Sequence, residues 1–142
     1  MIRGINHVTF AVRDLEQALA FYAGVLGLKP VARWPEGAYL LAGDLWVALV
    51  VDRNAGGTTV PDCSHVAFTV EPSDFEALAA RVRESGAGIW RENRSEGASL
   101  YFTDPDGRRL ELHVTGLTER LADMRRRKPD GVRFYDDTGD EA

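Results

Sequence analysis

The chain has 142 residues, 44% of them hydrophobic and 27% charged, a composition that indicates one globular domain and excludes a disordered or fibrous protein. Its net charge of −5 argues against a nucleic-acid partner, and its single cysteine, Cys63, excludes an internal disulfide framework. Without an apolar leader or a run of about 18 apolar residues, the sequence predicts a cytoplasmic protein with no membrane partner.

The first part of the chain, about residues 1–52, predicts a strand, a helix and a hairpin. Apolar side chains alternate over residues 7–12, which is typical of a half-buried strand. Asp14 and Gln17 predict a capping box for a helix that ends near Gly27. The apolar stripe of this helix is Leu15, Ala18, Leu19 and Tyr22. The hairpin consists of residues 38–41, a turn at Gly43-Asp44 and residues 46–50.

The second part, about residues 63–115, repeats this pattern after a linker at about residues 53–62. Residues 65–70 read HVAFTV where residues 7–12 read HVTFAV, identical at four of six positions. Its predicted helix has a Ser73–Glu76 capping box, the stripe Phe75, Leu78, Ala79 and Val82, and a stop at Gly86. Its predicted hairpin consists of residues 99–102, a turn at Asp104–Gly107 and residues 109–114.

The last part, about residues 116–142, predicts a third helix over Leu117–Arg127 and a tail. Leu117, Leu121 and Met124 lie on one side of this helix. The whole chain is therefore predicted to be an α+β protein built from paired βαβββ modules in a single domain.

Strand periodicity selects three candidate metal ligands. Alternate side chains of a strand face opposite ways, so His7 and His65 lie opposite the apolar faces of their strands, as Glu111 does in the last strand. Two modules related by a pseudo-twofold axis would bring these side chains to one concave surface. Two imidazoles and one carboxylate form a divalent-metal site with open positions. On spacing alone, structural histidines explain the pattern equally well.

Three segments carry a family resemblance: residues 37–40 (GAYL) with Leu45-Trp46, residues 93–102 (NRSEGASLYF) and residues 104–111 (DPDGRRLE). Together with His7 and His65 they resemble the manganese-dependent fosfomycin-resistance thiol transferases of the vicinal oxygen chelate superfamily. That superfamily includes glyoxalase I, extradiol dioxygenases and bleomycin-binding proteins. The resemblance covers about residues 1–134, and the pattern Asn-Arg-Ser-Glu-Gly-x-Ser-x-Tyr is its specific part.

The resemblance implies fosfomycin resistance by a metal-dependent enzyme. His7, His65 and Glu111 would hold Mn²⁺ or another divalent metal, with His7 from one subunit and the other two from its partner. The protein would thus be a domain-swapped homodimer with shared active sites. The metal would act as a Lewis acid on the epoxide oxygen of fosfomycin. The catalytic residues would be Thr9, whose hydroxyl could donate to that oxygen, and Tyr39.

The same resemblance implies binding sites for the phosphonate, K⁺ and a thiol. The substrate residues would be Trp46, Arg91, Ser95, Ser99, Tyr101 and Arg120. The K⁺ loop would use Asn93, Glu96, Gly97 and Ser99. The thiol residues would be Trp34, Glu36 and Arg94. Glutathione-using members carry lysine at Arg91, tyrosine at Cys63 and glutamine at Glu36, so the thiol could be glutathione or an analogue such as mycothiol or bacillithiol.

Several alternatives stay open at this point. One is a fosfomycin epoxide hydrolase with Glu36 as general base, and another is a metal-free drug-binding protein of the same fold. Glyoxalase chemistry would want a second carboxylate ligand, but Ala48 stands on the opposing strand. Cys63 and His113 have no role in the family motif, and a structural hydrogen bond is expected for His113.

Overall fold

The computed structural model of the chain describes residues 1–56, 63–94 and 96–135. The first module contains β1 (His7–Val12), α1 (Leu15–Leu19) continued by a π-helical segment (Ala20–Val25), β2 (Lys29–Trp34), β3 (Gly37–Ala42) and β4 (Leu45–Val51). The second contains β5 (Val66–Thr69), α2 (Phe75–Glu84), β6 (Ile89–Arg91), β7 (Ser99–Thr103) and β8 (Arg109–His113), and α3 (Leu117–Arg127) follows it. Residues 57–62, most of the predicted linker, and the end of the tail lie outside the described residues. No described helix is long and apolar enough to span a bilayer.

The two modules have the same topology. Their four-stranded sheets have the orders β1-β4-β3-β2 and β5-β8-β7-β6. In each sheet the first strand pairs in parallel with the last, and the other pairs are antiparallel. This confirms the α+β fold of paired βαβββ modules that the repeat predicts.

The fourth strand of each predicted module had no assigned residues, for a physical reason. All six residues of β2 are exposed and the strand contains Pro30, so it carries neither alternation nor an apolar run. β6 has only three residues, too few to show a period. Both are edge strands, where packing imposes the weakest pattern on the sequence.

The helix starts agree with the sequence only in part. The Asp14 carboxylate accepts a hydrogen bond from the Gln17 backbone N–H at 3.0 Å, as predicted. The Ser73–Glu76 capping box is wrong: α2 begins after Asp74, which makes no side-chain cap. Ser73 lies inside a turn closed by a hydrogen bond from the Asp74 N–H to the Glu71 carbonyl, one position too early to cap. The third helix has the predicted range, but Leu117 is 72% exposed and no α3 residue is fully buried.

The predicted packing faces of the strands are confirmed. Phe10 and Val12 are buried on β1, and Leu110 and Leu112 are buried on β8. They join one core with the stripes of α1 and α2. The opposite faces are therefore available for polar side chains, and the candidate ligands lie there.

The turn at Asp104–Gly107 ties the two modules together. Buried Asp104 accepts hydrogen bonds from the Tyr22 hydroxyl at 2.6 Å and from Arg108 Nη1 at 2.8 Å, and two backbone amides also donate to it. Arg108 Nη2 reaches back to the Ala11 carbonyl at 2.8 Å. Every group in this buried network has a partner, which is the condition under which such a network stabilises a fold.

Replacing Tyr22 with phenylalanine should lower the free energy of unfolding by about 2 kcal/mol, because the buried Asp104 carboxylate loses one of its donors. Burial, followed by the negative charge of Asp104, raises the pKa of Tyr22 above its usual 10.0. The folded protein therefore keeps this proton where the unfolded chain releases it, so stability falls as pH rises above about 10. Denaturant melts at pH 8 and 10.5 measure both effects. Tyr135→Phe, at an 86% exposed position, is the control and should change neither.

Candidate metal and substrate site

The second module brings His65 and Glu111 together as the predicted face requires. His65 Nδ1 donates to the Cys63 carbonyl at 2.7 Å, which leaves Nε2 with its lone pair. Nε2 lies 3.0 Å from Glu111 Oε1. In the neutral imidazole both of these atoms are acceptors, so a shared cation satisfies them together. The pair has the arrangement of two ligands of one metal ion.

Other polar side chains fix the Glu111 carboxylate, which is 5% exposed. Ser99 Oγ donates to Glu111 Oε2 at 2.8 Å, and His113 Nδ1 lies 3.0 Å from the same oxygen. His113 also contacts Ser99, and its Nε2 lies 2.7 Å from Thr115 Oγ1. The structural hydrogen bond expected for His113 is confirmed, and this side chain orients a candidate metal ligand.

The first module presents a matching half of the site. His7 Nδ1 lies 2.7 Å from Asn6 Oδ1, so this histidine also has a free Nε2, and its ring lies 4.3 Å from that of Trp46. Tyr39 packs edge-on against Trp46 with ring centroids 5.0 Å apart. Trp46 Nε1 is buried and has no hydrogen-bond partner among the described residues. An unpaired buried donor beside His7 points to an acceptor supplied by a ligand.

Strand register shows how the two halves differ. Thr9, two residues after His7, pairs with Ala48, whereas Ala67, two residues after His65, pairs with Glu111. Ala48 therefore occupies in the first module the place that Glu111 has in the second. The first module therefore offers the hydroxyl of exposed Thr9 and the imidazole of His7. Of the two equivalent positions, 48 and 111, only position 111 carries a carboxylate.

One chain does not complete the metal site. Within residues 1–56, 63–94 and 96–135, no three His, Cys, Asp or Glu side chains are grouped so that they could hold a metal ion. The expectation that the pseudo-twofold axis brings His7 to His65 and Glu111 is therefore wrong within a single chain. The sheets place the two histidines at equivalent edges of different modules, and the described residues of one chain do not gather all three predicted ligands.

A cationic cavity of about 290 Å³ opens beside His65. It is lined by His65, Arg91, Arg94, Tyr101, Glu111, Arg120 and Arg127. The Arg91 guanidinium lies 5.5 Å from the centre of the Tyr101 ring, over its face. The structure thus gathers four predicted substrate and thiol residues and adds Arg127, which sequence reasoning missed. Its spacing of seven residues from Arg120, two turns of one helix face, was the available signal.

A larger cavity of about 420 Å³ lies where the modules meet. Its lining is mostly apolar and includes Leu26 and Leu28 of the first module and Phe68 and Leu112 of the second. Of the predicted site residues, none of those the structure describes lines it. It lacks the convergent charged groups of the cavity beside His65, and we assign the chemistry to the latter.

The predicted K⁺ loop is described except for Ser95, which lies outside the described residues. Asn93 Nδ2 donates to the Gly97 carbonyl at 2.9 Å. Arg120 Nε lies 2.8 Å from Glu96 Oε2, an ion pair whose geometry is not that of a hydrogen bond. The Arg120 cation therefore neutralises this buried carboxylate oxygen, which has no further hydrogen-bond donor among the described residues. Ser99 points to Glu111 instead.

The predicted thiol residues fall on both modules. Trp34 ends β2 and Glu36 lies in the turn before β3, and both are exposed, whereas Arg94 lines the cavity of the second module. Trp34 packs edge-on against Tyr39 with ring centroids 4.7 Å apart. A Cβ on Gly37 would lie 2.6 Å from the Trp34 ring, so glycine is required there. The three predicted thiol residues thus come from two modules, two from the first and one from the second.

The chain is similar to several known proteins. The family profile of the Glyoxalase/Bleomycin resistance protein/Dioxygenase superfamily matches residues 4–112. The glutathione transferase FosA of Serratia marcescens is 48% identical over 100% of both chains. The metallothiol transferase FosB of Shouchella clausii is 37% identical over 92% of each chain.

Solved structures give the same picture. The fosfomycin resistance protein FosX of Mesorhizobium loti superposes with a TM-score of 0.72 at 36% identity, covering 85% of this chain and 99% of that one. A variant of FosX from Listeria monocytogenes, complexed with Mn(II) and 1S,2S-dihydroxypropylphosphonic acid, has a TM-score of 0.75 at 26% identity, covering 85% and 97%. These similarities span both modules.

Proposed function

Because the chain belongs to the glyoxalase/bleomycin resistance protein/dioxygenase superfamily, and within it to the fosfomycin-resistance thiol transferases, we propose that it inactivates fosfomycin by adding a small thiol to the epoxide. The observation that carries this proposal is the convergence of His65 Nε2 and Glu111 Oε1 beside a cavity lined by arginines. Two ligands for one metal ion, next to groups that bind anions, suit a substrate in which an epoxide is bonded to a phosphonate.

The metal ligands in this proposal are His65, Glu111 and His7 of the partner subunit, so the enzyme is a homodimer with shared sites. Both histidines use Nδ1 in a hydrogen bond and keep Nε2 for the metal. Nitrogen and carboxylate ligands without thiolate are compatible with Mn²⁺. When bound, the metal supplies Lewis acidity at the epoxide oxygen.

The chain's own residues hold and orient the substrate. The Thr9 hydroxyl and the unpaired Trp46 N–H are donors for the substrate oxygens, and Tyr39 closes the wall behind them. The phosphonate would bind to Arg91, Tyr101 and Arg120, which line the cavity. Ser95 and Ser99 stay predicted substrate residues, and the Ser99 hydroxyl donates to Glu111 in this structure. The thiolate sulfur attacks an epoxide carbon, the carbon–oxygen bond breaks, and the resulting alkoxide takes a proton.

A monovalent cation belongs to this proposal as well. Asn93, Glu96, Gly97 and Ser99 would hold K⁺ beside the phosphonate. The support for this fit is the Glu96 carboxylate, which Arg120 neutralises at 2.8 Å in this structure and which K⁺ would neutralise in its place. In such a site K⁺ offsets phosphonate charge, and Arg120 is freed to bind the substrate.

The test is fosfomycin consumption followed by ³¹P NMR with Mn²⁺ and K⁺. Parallel samples contain no thiol, glutathione, cysteine, bacillithiol or mycothiol. Loss of the epoxide signal only with a thiol supports the transferase and identifies the co-substrate. No loss in any sample, with bound metal verified, contradicts the proposed function. Titration with the active thiol tests whether Trp34, Glu36 and Arg94 bind it, because the chemical shifts of these residues should then change.

A hydrolase remains the second candidate because of one observation. The Listeria protein was solved with a dihydroxypropylphosphonic acid, the type of product that water addition to an epoxide gives. Equal consumption without thiol would favour this reaction. A metal-free drug-binding protein is disfavoured, since His65 Nε2 and Glu111 Oε1 would then face each other as two acceptors.

The variant Glu36→Gln separates water from thiol as nucleophile. Glu36 is exposed in the turn between β2 and β3 and is a proposed thiol-binding residue, so we expect the KM of the thiol to change while kcat at saturating thiol changes less than about threefold. A general base would instead contribute about 10²-fold or more, and its loss would abolish thiol-free consumption. The measurement is the initial rate with and without thiol, and Glu16→Gln, another exposed carboxylate of the first module, is the control.

A further inference from the structure

We propose that Arg127 sets the choice of co-substrate by binding a carboxylate of the thiol at the mouth of the cavity. This inference rests on the proposed thiol-transfer function and names the class of thiol that the site takes: one that carries a carboxylate remote from its sulfur. Arg127 ends α3 and lines the cavity with His65, Glu111 and three other arginines.

The position of Arg127 is at the outside of this cavity. Glu111 and Tyr101 are buried at 5% and 6% exposure, the Arg120 side chain is 38% exposed, and the Arg127 side chain is 58% exposed. Exposure therefore increases along α3 from Arg120 to Arg127. Glu111 and Tyr101 are thus the buried part of the lining and Arg127 is its more exposed part, where a ligand longer than fosfomycin would extend.

Arg127 is also held in a defined orientation. Its Nε lies 2.7 Å from Asp123 Oδ2, one turn earlier in the helix. The terminal nitrogens make no other polar contact among the described residues, so they are available for a bidentate carboxylate. The Arg127 guanidinium lowers the pKa of the Asp123 carboxyl, which keeps this tether charged.

The chemistry of the two substrates decides which of them reaches Arg127. The phosphonate of fosfomycin is bonded directly to the epoxide, so it must lie close to Glu111 and the inner arginines. The carboxylates of glutathione and bacillithiol are several bonds from the sulfur, and a thiol attacking the epoxide extends them toward the mouth. Mycothiol carries no carboxylate and gains nothing from this side chain.

The experiment measures kcat and KM for each thiol with the Mn²⁺- and K⁺-loaded protein, and thiol binding by calorimetry, in wild type and Arg127→Ala. We expect the KM and the dissociation constant of glutathione to rise about tenfold, with kcat at saturation and the KM of fosfomycin unchanged. Arg127→Lys should recover part of the affinity. Glutathione diethyl ester, which lacks both carboxylates, should bind wild type and Arg127→Ala equally.

Arg126→Ala is the matched control. Arg126 lies in the same helix and pairs with the same Asp123 at 3.1 Å, but it does not line the cavity. If both alanine variants weaken glutathione alike, the effect is that of general charge and the inference is wrong. It is equally wrong if Arg127→Ala changes the KM of fosfomycin instead, or leaves glutathione affinity intact. A wild-type enzyme that turns over fosfomycin without thiol and binds no thiol overturns the proposed function and this inference together, whereas thiol-dependent wild-type turnover with an unaffected variant overturns this inference alone.

Discussion

Glu111→Gln should lower fosfomycin turnover by about 10³-fold or more, because loss of a metal ligand removes several kcal/mol of charge stabilisation from the transition state. The glutamine keeps the volume of the buried side chain and an acceptor for the Ser99 hydroxyl. It lacks the negative charge that faces His65 Nε2. Mn²⁺ affinity, measured by calorimetry or by the electron paramagnetic resonance of free Mn²⁺, should fall by at least about 100-fold.

Two controls separate metal loss from misfolding. Far-UV circular dichroism and thermal unfolding of both proteins without metal show whether the variant folds, which is needed because Glu111 contacts His65, His113 and Ser99. Glu92→Gln, an exposed position of the same module, should keep full turnover and affinity. Full turnover by Glu111→Gln would end the assignment of this residue as a metal ligand.

Mixing two inactive variants should restore activity if the site is shared between subunits. His7→Ala removes the ligand of one module and Glu111→Gln that of the other, so each homodimer has two defective sites. A heterodimer concentrates both defects in one site and leaves the other intact. Random exchange at equal amounts should therefore return about a quarter of wild-type activity, because half of the dimers carry one good site out of two.

The measurement is turnover after the two variants are unfolded together and refolded, compared with each variant treated alone. Sedimentation of wild type should give a dimer under the same conditions. Recovery of no activity, in a mixture shown by mass spectrometry to contain heterodimers, would place His7 and Glu111 in the same subunit's site. An active monomer would have the same consequence.

Sequence alone predicted the repeated modules, and it predicted which side chains share a face of a strand. The similarity of residues 7–12 to residues 65–70, identical at four of six positions, was enough to predict two similar modules. The apolar faces of β1 and β8 were correct because one face of each strand packs against the core with period two. β2 was missed because an exposed edge strand leaves no such period. The Ser73 cap failed because a local turn competes for the same polar residues.

Part of the site could not be derived from one sequence by any local rule. The pairing of His65 with Glu111 depends on which strands become neighbours, and the contact between Glu96 and Arg120 depends on where α3 docks. The place of Arg127 in the cavity lining also depends on where α3 docks. The separation of His7 from the other ligands within one chain follows from the arrangement of whole modules, which strand periodicity does not encode.

The place of Ala48 opposite Thr9 has a consequence for how such modules can combine. Two copies of the first module set face to face would offer two imidazoles and no anion. Two copies of the second would offer two imidazoles and two carboxylates, which leaves fewer coordination positions for a substrate. Only unlike halves give two histidines, one carboxylate and vacant positions. In the proposed site, the difference between Ala48 and Glu111 therefore decides which pairing of modules supplies a single carboxylate.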